Sequence, residues 1–247
     1  MPKTAKSDRF EVAAIMKWLS ILCASILAMP SASGDDTGMN VHCSATRGTV
    51  LLDGAEWATF TLPELGGGLL PAVEQTGDGG WQRIRLSWDL PKSIAQDEAA
   101  VRFALAFEPD FWWAPHLSPN DGDCIAQHVF RSPALIAVRE HDVFVVVPDL
   151  DLCGQNPSAP WFLDFDAPAN TLWLGMGKTK ITEHVHYVKA PGMNLGPGKV
   201  QLGFYVTAYR DENEPVNPWG RVAPMLWDRW AKPLYRRGEP ARTPLDA

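Results

Sequence analysis

Apolar and polar positions alternate with a period of two over much of the chain. From Trp81 to Leu90, Trp81, Arg83, Arg85 and Ser87 fall on one side; Gln82, Ile84, Leu86 and Trp88 fall on the other, which is nearly all apolar. Val101, Phe103, Leu105 and Phe107 share a face in the same way. A period of two places alternate side chains on one face of a strand, so both segments read as half-buried β-strands. Similar runs occur at 49–53, 57–62, 127–138, 143–148, 162–165, 171–176, 180–189 and 200–209, bounded by Gly, Pro, Asn and Asp. The polar stretch Arg139, Glu140, His141, Asp142 separates two of them and predicts a hairpin. Short strands at this spacing predict an antiparallel all-β fold, a β-sandwich of the jelly-roll or supersandwich type.

The period changes in the tail. Val222, Leu226 and Trp230 lie four apart, with Trp227 on a neighbouring stripe. Pro224 suits a first helical turn, and Pro233 ends the pattern. A helix of about three turns is marginal alone in water, so its tryptophans need a surface to dock on. Beyond Tyr235 the chain is polar and Pro-rich, like a linker. The predicted organisation is therefore a sandwich over 34–218, then a short helix and linker-like tail over 219–247. The tail either frays after the helix folds back or leads into a further domain.

Residues 1–33 read differently. Lys3, Lys6, Arg9 and Lys17 precede an uncharged apolar run over 18–29, and Ser31, Ala32 and Ser33 follow. This is the layout of a secretory signal peptide with cleavage before Gly34, and it implies a secreted or periplasmic protein. The run falls short of the roughly 20 residues of a membrane span, so no membrane partner is expected after cleavage. Removal also changes the charge. The 247-residue chain carries 22 basic and 29 acidic residues, a net −7. Residues 1–33 hold four of the basic and two of the acidic ones, so 18 and 27 remain, a net −9. Such an acidic chain lacks the basic stripe of a nucleic-acid binder.

Export permits disulfides, and three cysteines remain: Cys43, Cys124 and Cys153. Cys124 precedes the first strand of the predicted hairpin and Cys153 follows the second. That placement predicts a Cys124–Cys153 bond with Cys43 left over, against the alternative of three free thiols. Ideal register would put position 157 opposite Cys124, so the bond requires a bulge or a bent loop.

Several groups offer chemistry. Phe111, Trp112, Trp113 and His116 lead into a loop of Ser118, Pro119, Asn120, Asp121, Gly122 and Asp123. The rings either plug the end of the core or present a platform for sugar faces, a use that suits aromatic groups with a polar handle. Asn120, Asp121, Asp123, Asp149 and Asp151 supply hard oxygens of the kind calcium takes, although Asn-Asp-Gly-Asp is itself a good turn. The turn is the preferred reading of that stretch, with calcium as the alternative, and no cofactor is expected. His184 and His186 project to one face of a strand, as a metal pair or a sugar contact would require. The cupin family uses such a pair followed by a Glu and a later His; no Glu occurs over 187–198, and no His after 186. Surface or sugar-contacting roles are therefore expected for both. Gly66, Gly67 and Gly68 lack the Lys-Ser/Thr of a phosphate loop. No Gly-x-Ser-x-Gly elbow occurs.

Two resemblances bear on function. Gln127, His128 and Arg131, with Tyr187, Lys189 and Ala190, resemble elements of the jelly-roll alginate lyases, which use a Gln-x-His, an Arg-rich strand and a Tyr-x-Lys-Ala stretch. That resemblance implies Gln127 and Arg131 on a uronate carboxylate, with His128 and Tyr187 moving protons. Here Gln127 and His128 are adjacent, and Arg83 and Arg85 lack the accompanying Glu. The segments 111–123, 127–134 and 147–151, with the tail Leu226, Trp227, Asp228, Arg229 and Trp230, resemble the N-terminal β-sandwich of bacterial secreted carbohydrate-active proteins, in which a helical domain follows. That resemblance implies a module contacting carbohydrate through Trp112, Trp113, His116, His184 and His186, or packing against a catalytic helical domain. The alternatives are a free-standing polysaccharide lyase and a structural periplasmic protein.

Overall fold

The computed structural model describes residues 38–114, 123–130, 133–183 and 186–233. The signal-peptide reading of 1–33, the loop residues over 115–122, Arg131, His184 and the tail from 234 lie outside them.

Two antiparallel sheets face each other. The first contains β1 (Met39–Cys43), β2 (Arg47–Leu52), β3 (Ala55–Thr61), β7 (Glu98–Leu105), β9 (Asp123–Ala126), β12 (Trp161–Asp166), β13 (Thr171–Glu183) and β14 (His186–Ala190). Its order is β1-β2-β3-β7-β13-β12-β9-β14. The second contains β4 (Ala72–Asp78), β5 (Trp81–Leu90), β8 (Phe111–Trp113), β10 (Leu135–Arg139), β11 (Asp142–Pro148) and β16 (Gly198–Arg210), in the order β4-β5-β16-β11-β10-β8. A small ribbon pairs β6 (Ile94–Gln96) with β15 (Met193–Leu195). The all-β sandwich expected from the alternation is the observed architecture.

The core lies between the sheets. Phe60 and Phe103 from the first meet Phe204 and Phe144 from the second, with edge-on contacts of Phe204 at 5.7 Å from Phe60 and 5.2 Å from Phe103. Such aromatic pairs contribute about 0.5–1.5 kcal/mol each beyond the area they bury. The predicted inward faces are correct: Ile84, Leu86 and Trp88, and Val101, Phe103, Leu105 and Phe107, are all buried in this core.

The second sheet is covered on its outer face too. Every residue of β11 is buried, matching its unbroken Val143, Phe144, Val145, Val146, Val147 run, since strands buried on both faces lose their alternation. The cover is the C-terminal helix: α1 (Val222–Leu226) continues as a π-turn over Trp227–Ala231. Val222 is buried there with Trp81, Tyr205 and Tyr209, and Trp219, Met225, Leu226 and Trp230 pack alongside. The predicted helix thus docks its apolar stripe on the sandwich. Among the described residues no helix is long and apolar enough to cross a membrane.

Two expectations are corrected. The segment 127–138 is not one strand: residues 123–126 pair with β12 in the first sheet, Gln127–Val129 form a 3-10 turn, and the hairpin strand begins at Leu135 in the second sheet. The chain changes sheets between the two. The hairpin itself forms with the expected Arg139–Asp142 pairing. The change of sheet also removes the disulfide: Cys43, Cys124 and Cys153 are all free thiols. Cys153 packs against the inter-sheet core, as does Ile125. Cys124, one residue from Ile125 in an extended strand, faces the opposite side, among Asp164, Lys189, Asp123 and Glu98.

Candidate functional site

The first sheet curls at one end. β13 is 13 residues long; its first half lies between β7 and β12, and its second half pairs with β14. β14 pairs with β9, and β9 with β12, so four strands close on themselves. This closed corner gathers most of the described residues singled out from sequence. The exposed His128 ring meets the half-buried Tyr187 edge to face, with centroids 4.6 Å apart. His186 Nδ1 stands 3.4 Å from Asp123 Oδ2. Gln127 serves the scaffold instead: its Oε1 accepts a hydrogen bond from the Trp161 backbone N–H at 2.9 Å.

Beside the rings, Lys189 Nζ pairs with Asp164 at 2.9 Å and lies 3.8 Å from the Trp173 ring centroid. Arg102 faces Trp173 at 4.4 Å and pairs with Glu98. Burial raises the Asp164 pKa above the ordinary carboxylate value, against the pull of Lys189. Burial likewise pushes the Cys124 thiol up to about 12, which suppresses the reactive thiolate.

Trp112 and Trp113 separate as strand neighbours must. Trp112 stacks on Phe165 at 6.1 Å and packs against the inter-sheet core. Trp113 meets Trp219 at 5.3 Å on the outer face. Both are half-buried. The structure therefore brings His128, Tyr187 and His186 into one corner and assigns the two tryptophans to opposite sides of a sheet. His116, His184 and Arg131 fall outside the described residues.

A second polar site, not anticipated as a unit from the sequence, lies where the helix meets the outer face. Asp149 is fully buried and receives Arg83 Nε and Nη2 at 3.0 and 2.6 Å. It fits because position 203 is glycine: a Cβ there would lie 3.2 Å from the Asp149 Cβ and 2.9 Å from Leu152 Cδ1. Asp151 receives the Trp230 indole N–H at 2.9 Å and faces Arg83 and Arg229. Arg229 also faces Asp78 at 3.4 Å. Both guanidiniums lie over the Tyr205 ring, Arg83 at 5.3 Å and Arg229 at 4.6 Å. Burial works against the Arg83 charge, and the bond and charge of Asp149 overcome it, so its pKa stands above the ordinary value. Desolvation raises the Tyr205 pKa, so the phenol stays protonated.

The signals for this site were present in pieces: Arg83 and Arg85 on the polar side of a strand, and Asp149 and Asp151 after a strand end. Asp149 and Asp151, read from sequence as oxygen ligands, face arginine, and Asp123 faces His186. Among the described residues no three His, Cys, Asp or Glu side chains group to hold a metal ion.

No protein-family model matches the chain, and no curated protein sequence does. One solved structure is similar, an α-N-acetylgalactosaminidase, NagBb, from Bifidobacterium bifidum, in complex with GalNAc. It is 11% identical, with a TM-score of 0.28 over 71% of this chain and 36% of that one, so the chain spans about a third of that protein. The likeness is a loose one to a carbohydrate-active protein, and at this TM-score it carries no argument about function.

Proposed function

We propose that the protein is an exported β-sandwich module that contacts carbohydrate at the closed corner of its first sheet or packs there against a glycan-processing domain. The observation that carries this reading is the contact of exposed His128 with half-buried Tyr187, beside His186 and Asp123. Rings with an apolar body and a polar tip, held in a half-wet setting, suit sugar surfaces. A titration of isotopically labelled protein with a panel of neutral and acidic oligosaccharides tests it. The expected result is that signals of His128, Tyr187 and His186 move saturably. Tyr187→Ala should then weaken binding about tenfold, or about 1.4 kcal/mol. Oligosaccharides that leave all three signals in place would overturn the reading. Export is tested separately by N-terminal sequencing of secreted material, with Gly34 expected as the first residue.

The same ring contact favours a second reading, a polysaccharide lyase in which His128 and Tyr187 move protons. Gln127 is engaged with Trp161, so the carboxylate partner in that reading falls to Arg131. Release of unsaturated uronide ends from alginate or pectate, abolished by Tyr187→Phe, is its expected signature.

A further inference from the structure

The junction of helix and sheet holds an open pocket of about 610 Å³, within the roughly 300–1,000 Å³ range of small-molecule sites. Trp81 and Tyr205 line it from the sheet, and Met225, Asp228 and Arg229 from the helical segment, with Asp78 at the turn between β4 and β5. The pocket belongs neither to the inter-sheet core nor to the closed corner. Two polar atoms of these residues are buried without a hydrogen-bond partner among the described residues: the Tyr205 hydroxyl and Arg229 Nε. A buried donor without an acceptor is costly and rare in a finished interior. Arg85 Nε and the indole nitrogens of Trp113 and Trp173 are likewise unpartnered elsewhere, but the Tyr205 and Arg229 atoms both lie on residues that line one pocket. Arg229 and Trp230 also stand on a π-turn, a helical irregularity frequent at functional sites.

Charge narrows the class of ligand. Arg83 already faces Asp149 and Asp151, Arg229 faces Asp78 and Asp151, and Asp228 is paired by Lys232. An anion would compete with carboxylates for these arginines, and a cation would compete with the arginines for the carboxylates. A wholly apolar guest would strip water from ion pairs and offer nothing in return. A neutral polyhydroxyl ligand avoids all three costs. Each hydroxyl donates and accepts at once, so it can bridge a carboxylate and a guanidinium without separating them. The carbon-bound faces of a sugar ring would meet Trp81 and Met225. We propose that the pocket between the outer face of the second sheet and the C-terminal helix is a binding site for a neutral saccharide, separate from the closed corner. The Tyr205 hydroxyl and Arg229 Nε supply hydrogen bonds that no group among the described residues satisfies.

The test is a titration of the full chain with maltose, cellobiose, lactose and diacetylchitobiose, with glucuronate and galacturonate as charged comparators. Binding is read by tryptophan fluorescence and by the NMR signals of Trp81 and Trp230. At least one neutral disaccharide should bind saturably and more tightly than either uronate. Met225→Trp, which fills the pocket, should weaken that binding at least tenfold. Tyr205→Phe should weaken it about fivefold while raising the thermal midpoint of the free protein, because it deletes an unpaired hydroxyl. If Met225→Trp does not fold, Asp228→Ala on the exposed side of the helix replaces it, with a several-fold loss expected. Tyr187→Ala at the corner should leave this binding unchanged, which separates the two sites. Failure of all four disaccharides to bind overturns the proposal. So does tighter binding of a uronate, or binding that survives both the pocket-filling and the Tyr205 substitutions.

Discussion

The closed corner and the helix–sheet pocket are both polar sites on one sandwich, yet they are built in opposite ways. In the corner, side chains largely satisfy one another: Gln127 holds a backbone N–H, Lys189 pairs with Asp164, and Arg102 pairs with Glu98. At the helix–sheet junction, Asp78 and Arg83 from one hairpin, Asp149, Tyr205 and Arg229 come from four segments, and two of their polar atoms have no hydrogen-bond partner among the described residues. Most corner groups find partners as the strands pair, although the Trp173 indole nitrogen there is buried without a hydrogen-bond partner among the described residues. Unpaired groups at a long-range junction mark a place where folding leaves capacity for something else.

The sharpest way to break this contrast is to remove a central charge. Asp149→Ala should destabilise the protein by about 3 kcal/mol, the lower end for breaking a buried ion pair, because the Arg83 side chain keeps 18% exposure. Denaturant unfolding measures it, and a loss under about 1 kcal/mol would show that the network is peripheral to the fold. Gln127→Ala should cost less, about 1–3 kcal/mol, because it strands the buried Trp161 N–H. It should not disturb saccharide binding in the pocket. An unchanged stability would mean that water replaces the amide, and that the corner is less self-sufficient than its bonds imply.

The approach to the helix offers a pH test. Asp211 accepts from the backbone N–H groups of Asn217 and Asn213 and from the Asn213 amide, and these bonds lower its pKa. Its folded value therefore lies below that of the unfolded chain, near 3.9. Its contribution is complete above that value and is lost as pH falls through the folded one. The Asn217 amide signal should titrate with a midpoint below about 3.9. A midpoint at or above that value would remove Asp211 as the anchor of the turn into the helix.

The smallest effect expected is chemical. Burial raises the thiol of Cys43 to about 11 and those of Cys124 and Cys153 to about 12. Disulfide-exchange reagents at mildly alkaline pH should label the native protein slowly and the denatured protein quickly. A denaturing, non-reducing titration of chain lacking residues 1–33 should count three thiols. A count of one would restore the Cys124–Cys153 bond.

Strands with one wet face were readable because their alternation is a local property of the chain. That is why Trp81–Leu90 and the inward set from Val101 to Phe107 were located with the right faces. The helix was readable from its four-residue spacing, and β11 from its unbroken apolar run, although that run does not name what covers it. Edge strands such as β4 were missed because exposure leaves their pattern weak. The break within 127–138 was missed because an apolar run reads the same whether it stays in one sheet or crosses to the next.

The fold class and the inward faces thus followed from periodicity, which needs only neighbours along the chain. The tertiary structure alone decided which sheet each strand joined. It therefore separated Cys124 from Cys153, brought His128 onto Tyr187, and gathered Arg83, Asp149, Tyr205 and Arg229 under one short helix. Arg83 and Tyr205 are 122 residues apart and Arg229 and its partner Asp78 are 151 apart, and no local pattern encodes a contact whose partners meet only after two sheets and a helix have packed.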